Sequence, residues 1–110
     1  MRILLLAGLL AAAAWAGPTA DLVGIVHSTV PSARSLHGYE YVDGAEVVLE
    51  GTDLKARTNE VGLFEFRKIE PGTYTVLVRC EGFKDAREEV EVVALPMPVT
   101  VILVMEPGRP

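Results

Sequence analysis

The sequence predicts an all-β domain, a single seven-stranded sandwich of two antiparallel sheets, behind a leader that is removed on export. Three observations carry this. Short runs in which apolar and polar residues alternate recur between Leu22 and Met105, at the period of a half-buried strand. Gly, Pro and Asn stand between those runs and supply the turns. Outside the leader, no stretch carries an apolar stripe at helical spacing.

The leader comes first. Arg2 gives a minimal basic start, and Ile3 to Ala16 is apolar throughout, Gly8 included. Ala14-Trp15-Ala16 then supplies a small-x-small cleavage signature before Gly17-Pro18. A membrane span needs about 20 apolar residues, so this run is a secretory signal peptide rather than an anchor. No Cys follows it, which argues against a lipid-modified N-terminus. Residues 1–16 are therefore expected to be cleaved. Residues 17–110 are expected to form a soluble domain without a membrane span, secreted or periplasmic.

Seven strands follow in order. Leu22–Val30 is rich in Val and Ile, with Gly24 inside it. Ala45–Gly51 sets Ala45, Val47 and Leu49 against Glu46, Val48 and Glu50. Leu54–Thr58 is short and polar, an edge strand guarded by Lys55 and Arg57. Leu63–Arg67 alternates Phe64 and Phe66 with Glu65 after a turn at Gly62. Pro71-Gly72 is a turn dipeptide, and Thr73–Glu81 runs on from it. Arg87–Ala94 interleaves Glu89, Val90, Glu91 and Val92, and Val99–Met105 is the last strand. The inner face should hold Val26, Ala45, Val47, Leu49, Phe64, Phe66, Tyr74, Val76, Val78, Val90, Val92, Val101 and Leu103. Pro31–Gly44 is read as a long loop, and Glu106–Pro110 as a fraying tail.

At 110 residues the chain is one domain. Loss of Arg2 with the leader deepens the net charge from −5 to −6. The acids are dispersed and no basic stripe occurs, so no nucleic-acid partner is expected and the surface is unattractive to anionic membrane. The single cysteine, Cys80, cannot form an internal disulfide. It is an intermolecular bridge or reactive thiol, or a small hydrophobe on the parity of Tyr74, Val76 and Val78; parity favours the latter.

Gly24-Ile25-Val26, Gly44-Ala45-Glu46-Val47, Thr58-Asn59-x-x-Gly62-x-Phe64, Pro71-Gly72-x-Tyr74-x-Val76 and Gly82-Phe83 occur in that order. The series resembles the carboxypeptidase regulatory-like domains, small seven-stranded sandwiches of transthyretin-like (prealbumin-like) fold. The resemblance covers Asp21 to Met105. One departure is the stretch from Pro31 to Gly44, which is longer than the short turn usual there. The resemblance implies an accessory module, found behind the catalytic domain of some metallocarboxypeptidases, before outer-membrane receptors or along surface proteins. It is then expected to serve a partner on another chain.

No catalytic constellation is legible. The two histidines, His27 and His37, lack a His-Glu-x-x-His or His-x-x-Glu pattern. With a carboxylate such as Asp43 they could bind metal, but strand-surface and loop positions explain them better. Ser28, Ser32 and Ser35 sit in no nucleophile elbow. The enzymatic relatives of the transthyretin fold, the hydroxyisourate hydrolases, resemble one another in a C-terminal Tyr-Arg-Gly-Ser, which this chain lacks. Neither a cofactor nor a metal is expected.

Two candidate binding surfaces remain. The Pro31–Gly44 stretch holds His37, Tyr39, Glu40, Tyr41 and Asp43, with aromatic area and hydrogen-bonding groups suited to protein contacts or to sugar. Equally, Tyr39 and Tyr41 could pin the loop to the sheet edge. The other candidate is a patch of Leu77, Ile102 and Val104, all on outward parity, if the sheet order brings them together. Val48 and Val93 share that outward parity. The function expected is a secreted, non-catalytic binding or accessory module acting through protein contacts, with an envelope component as one possible partner. The alternative is a carbohydrate-binding module using the 31–44 aromatics, and a transthyretin-like hydrolase stands third.

Overall fold

The computed structural model describes residues 17–36 and 38–108, so the expected leader, His37 and the last two residues of the expected tail lie outside the described residues. Eight strands run in order through the described residues: β1 (Ala20–Pro31), β2 (Tyr39–Tyr41), β3 (Glu46–Leu49), β4 (Lys55–Arg57), β5 (Leu63–Ile69), β6 (Gly72–Arg79), β7 (Ala86–Val92) and β8 (Val99–Met105). The seven expected runs are all there. The eighth, β2, falls in the stretch read as loop.

The first sheet is built on β1. Residues 20–25 pair antiparallel with β5, and residues 27–31 pair with β2 further along. The opposite edge of β1 pairs with β8 over residues 22–28, and this one pairing is parallel. Val26 marks the changeover on the first edge. Its N–H donates to Gly62 C=O at 2.8 Å, and its C=O accepts from Val42 N–H at 3.0 Å. Gly62 has φ 73°, and a Cβ there would run into the Val26 carbonyl, so the Gly of the Asn59–Gly62 turn is a steric requirement. Asn59 Oδ1 closes that turn by accepting from Val61 and Leu63 N–H. The second sheet runs β4-β3-β6-β7, antiparallel throughout.

Alternation explains how the sheets stack. Leu22, Val26, Phe64, Phe66, Leu103 and Met105 from the first sheet meet Val47, Leu49, Val76, Val78 and Val92 from the second in one buried cluster. Phe64 and Phe66 meet edge to face at 5.9 Å. Every residue expected inside is buried except Tyr74 and Val90, which are half-buried and pack against the cluster's rim. Cys80 is likewise half-buried against the core, as a free thiol.

Two expectations are corrected. Residues 106–108 do not fray: Lys84 N–H donates to Glu106 C=O at 2.9 Å, and Gly108 N–H to Gly82 C=O at 3.0 Å. Pro107 needs no N–H of its own for this bridge to Phe83. Leu77 does not join Ile102 and Val104, because β6 and β8 belong to different sheets. It is also only 3% exposed. Val48 and Arg87 flank it in register, and the Arg87–Glu50 ion pair at 3.4 Å spans the same face.

Candidate interaction surfaces

The 31–44 segment is a strand-bearing arm rather than a free loop. Two residues of β1, His27 and Pro31, pair with Tyr41 and Tyr39 across a bulge. The Tyr39 ring stacks on His27 with centroids 5.5 Å apart, and His27 Nδ1 donates to the Ser28 carbonyl at 2.9 Å. Tyr39 is thereby held flat against β1 while 41% exposed. Glu40, Tyr41 and Asp43 are brought together on an open cleft of about 390 Å³, which Glu60 and Phe83 also line.

Thr58 fixes the approach to this cleft. Its buried hydroxyl donates to Val42 C=O at 2.7 Å and accepts from Ala45 N–H at 2.8 Å. Its backbone closes the same turn, through Gly44 N–H to Thr58 C=O and Thr58 N–H to Ala45 C=O, both at 3.0 Å. A second, wider cleft of about 730 Å³ adjoins on the far side of Cys80 and Phe83, edged by Glu46, Arg57, Arg79 and Asp85. Arg57 is spent on the Gly44 carbonyl at 2.8 Å, and Arg79 on Asp85 at 3.6 Å. Among the described residues, no group of three or more His, Cys, Asp or Glu side chains could hold a metal ion.

The outer face of the β1 sheet is different in kind. Register places Leu63 of β5, Ile25 of β1 and Ile102 of β8 in one row across three strands. The next row holds Glu65, Val23 and Thr100, and the row on the other side holds Tyr41, His27 and Val104. Ile102 is 54% and Val104 47% exposed, while Val23, Ile25 and Leu63 beside them are half-buried. Asp21, Glu65 and Arg67 close one end with ion pairs of 3.1 Å (Arg67–Glu65) and 3.9 Å (Arg67–Asp21). The sequence reading found Ile102 and Val104 but missed Val23, Ile25 and Leu63. Their signal was present, since β1 is apolar on both parities like β8, but only the register joins them.

Among the described residues, no helix is long and apolar enough to cross a membrane. Solved structures share the fold at low identity. A chain of the type II cohesin–X-dockerin complex from Acetivibrio cellulolyticus superposes with TM-score 0.58 at 20% identity, covering 81% of this chain and 58% of that one. A DUF3823 family protein from Parabacteroides merdae gives TM-score 0.50 at 18% identity, covering 83% and 47%. In both cases the chain spans less than two thirds of the other's length. The Caf1A usher C-terminal domain gives TM-score 0.51 at 11% identity, covering 77% of this chain and 97% of that domain. No curated protein sequence matches. The model of the carboxypeptidase regulatory-like domain matches residues 37–105, more than half of the chain. The chain therefore belongs to the carboxypeptidase regulatory-like domain family.

Proposed function

We propose that this protein is an exported, non-catalytic binding module that captures a protein partner on the outer face of its β1 sheet, in the envelope or outside the cell. The observation that carries this is the apolar row Leu63–Ile25–Ile102 on the outer face, exposed at Ile102 and at Val104 beside it. An outer sheet face in water is normally polar, and contiguous apolar patches mark interaction sites. The opposite sheet makes the contrast within one molecule, since its outward Leu77 is only 3% exposed and has Arg87, ion-paired to Glu50, as its neighbour in register. In the similarly folded Caf1A usher domain, conserved hydrophobic clusters on the surface are important for F1 antigen assembly. That role supports a comparable use of an apolar face here.

Photo-crosslinkable residues at Leu63 and at Glu89, introduced one at a time in exporting cells, test the reading. Adducts to another protein should form from position 63 and not from 89. Leu63→Lys should abolish capture while leaving the thermal melt of the domain in place. Equal adducts from both positions, or capture indifferent to Leu63→Lys, would overturn it. A carbohydrate reading has one observation in its favour, the exposed Tyr39 ring held flat by His27. Glycan binding lost in Tyr39→Ala would establish it.

A further inference from the structure

The outermost strands, β2, β5 and β8 of the first sheet and β4 and β7 of the second, are not equally defended. A sheet edge presents unpaired N–H and C=O groups, and charges, bulges or proline normally keep other strands away. β4 carries Lys55 and Arg57, and β7 carries Arg87, Glu88, Glu89 and Glu91. β5 carries Glu65, Arg67 and Lys68, with a bulge at its pairing to β1 between Ala20 and Leu22. β8 reads Val-Thr-Val-Ile-Leu-Val-Met, seven residues without a charge. Among the described residues only β1 pairs with it. Pro98 and Pro107 bracket it and limit pairing to the strand itself.

We propose that β8 pairs antiparallel with β8 of a second copy of this chain, about a two-fold axis through Ile102. An unpaired backbone edge is satisfied by another strand, and charge decides which one. Self-pairing of β7 would set glutamates against glutamates, and self-pairing of β4 would set Lys55 and Arg57 against each other. Pairing of β8 with β4 or β7 would leave each copy with a second open edge and grow a filament rather than close. β8 against β8 is closed and brings no charged side chain into the contact, whereas β5 against β5 would bring in Glu65, Arg67 and Lys68, and β2 against β2 would set Glu40 against itself. Centring on Ile102 uses the full strand. It sets Ile102 opposite Ile102, Thr100 opposite Val104, and Val101 opposite Leu103. The row Leu63–Ile25–Ile102 then continues into its symmetry mate, so the two outer faces merge. The merging bears on the proposed function only if that reading holds; the pairing stands without it.

A seven-residue edge with its flanking side chains falls at the small end of interface sizes, so the dimer should be concentration-dependent. Sedimentation equilibrium of the purified mature chain should show mass rising from monomer towards dimer between about 1 µM and about 1 mM. Both copies are acidic and the contact is neutral, so added salt should strengthen association. Ile102→Cys in a Cys80→Ser background should oxidise to a covalent dimer, and Leu63→Cys in the same background should not. Ile102→Lys should hold the chain monomeric. Thr100→Lys, at a position already polar and exposed, does the same job should Ile102→Lys fail to fold. Leu63→Lys separates the two readings, since it should lose heterologous capture and keep self-pairing. A monomer at all concentrations, a dimer weakened by salt, or a dimer that survives Thr100→Lys would each overturn the proposal.

Discussion

Gly24 and Phe64 show how one residue's absence of a side chain fixes another's place. They are partners in the β1–β5 ladder, and a Cβ on Gly24 would sit inside the Phe64 ring. The ring, in turn, is among the largest fully buried side chains. Gly24→Ala should therefore cost about 1–3 kcal/mol through overpacking. Phe64→Ala should cost about 3–5 kcal/mol, a large share of the roughly 5–15 kcal/mol available to a domain. In the double variant the new methyl finds the vacated space, so the two costs should sum to more than the measured loss. Urea unfolding of the four proteins checks this, and strictly additive costs would show that the two residues do not share the site. Parity alone assigned Phe64 inward. It also assigned Leu77 outward, correctly as to face and wrongly as to exposure, because parity is silent on what long side chains lie across a face.

Turns tie the strands into elements, and the β5–β6 connection carries a titratable one. Tyr74 Oη donates to the Glu70 carbonyl across the Pro71-Gly72 turn. Burial, with the nearby Glu70 charge adding to it, raises the phenol above its ordinary value of 10.0. A group whose folded pKa is raised stabilises the fold fully below its unfolded pKa and loses that contribution as pH climbs through the folded one. Tyr74→Phe should thus cost about 0.5–1.5 kcal/mol at neutral pH. The gap in urea midpoint between parent and variant should narrow above the ordinary phenol value. A gap unchanged between neutral and strongly alkaline buffer would rule the bond out as a stabilising contact. β2 belongs to the same scale. Tyr39-Glu40-Tyr41 is too short to register as a strand by alternation, and it becomes one because β1 runs past β5 and leaves an edge for it.

At the scale of the whole molecule, sheet order turns separate strands into one outer face. The apolar row on the β1 sheet needs three strands from distant parts of the chain, and the Thr58 clamp needs a hydroxyl 13 residues from one partner and 16 from the other. The proposed export would set where such a face works. Cleavage after Ala16 is expected to give a mature N-terminus of Gly17-Pro18-Thr19, and intact mass of the exported protein measures it directly. A membrane-bound species retaining Met1 would refute cleavage.

The sequence by itself determined the β class, seven of the eight described strands, most of the core and the family, because period-2 alternation and turn chemistry are local and repeat along the chain. It also picked out Glu40, Tyr41 and Asp43, which do meet on one cleft, and Ile102 and Val104 as exposed. Tertiary structure alone decided that Leu77 lies under cover on the other sheet, that Pro107 bridges Phe83, and that Val23, Ile25 and Leu63 complete the apolar face. The physical reason is that strand order and register are set by pairing between residues far apart in sequence. No local pattern records which strand lies beside which.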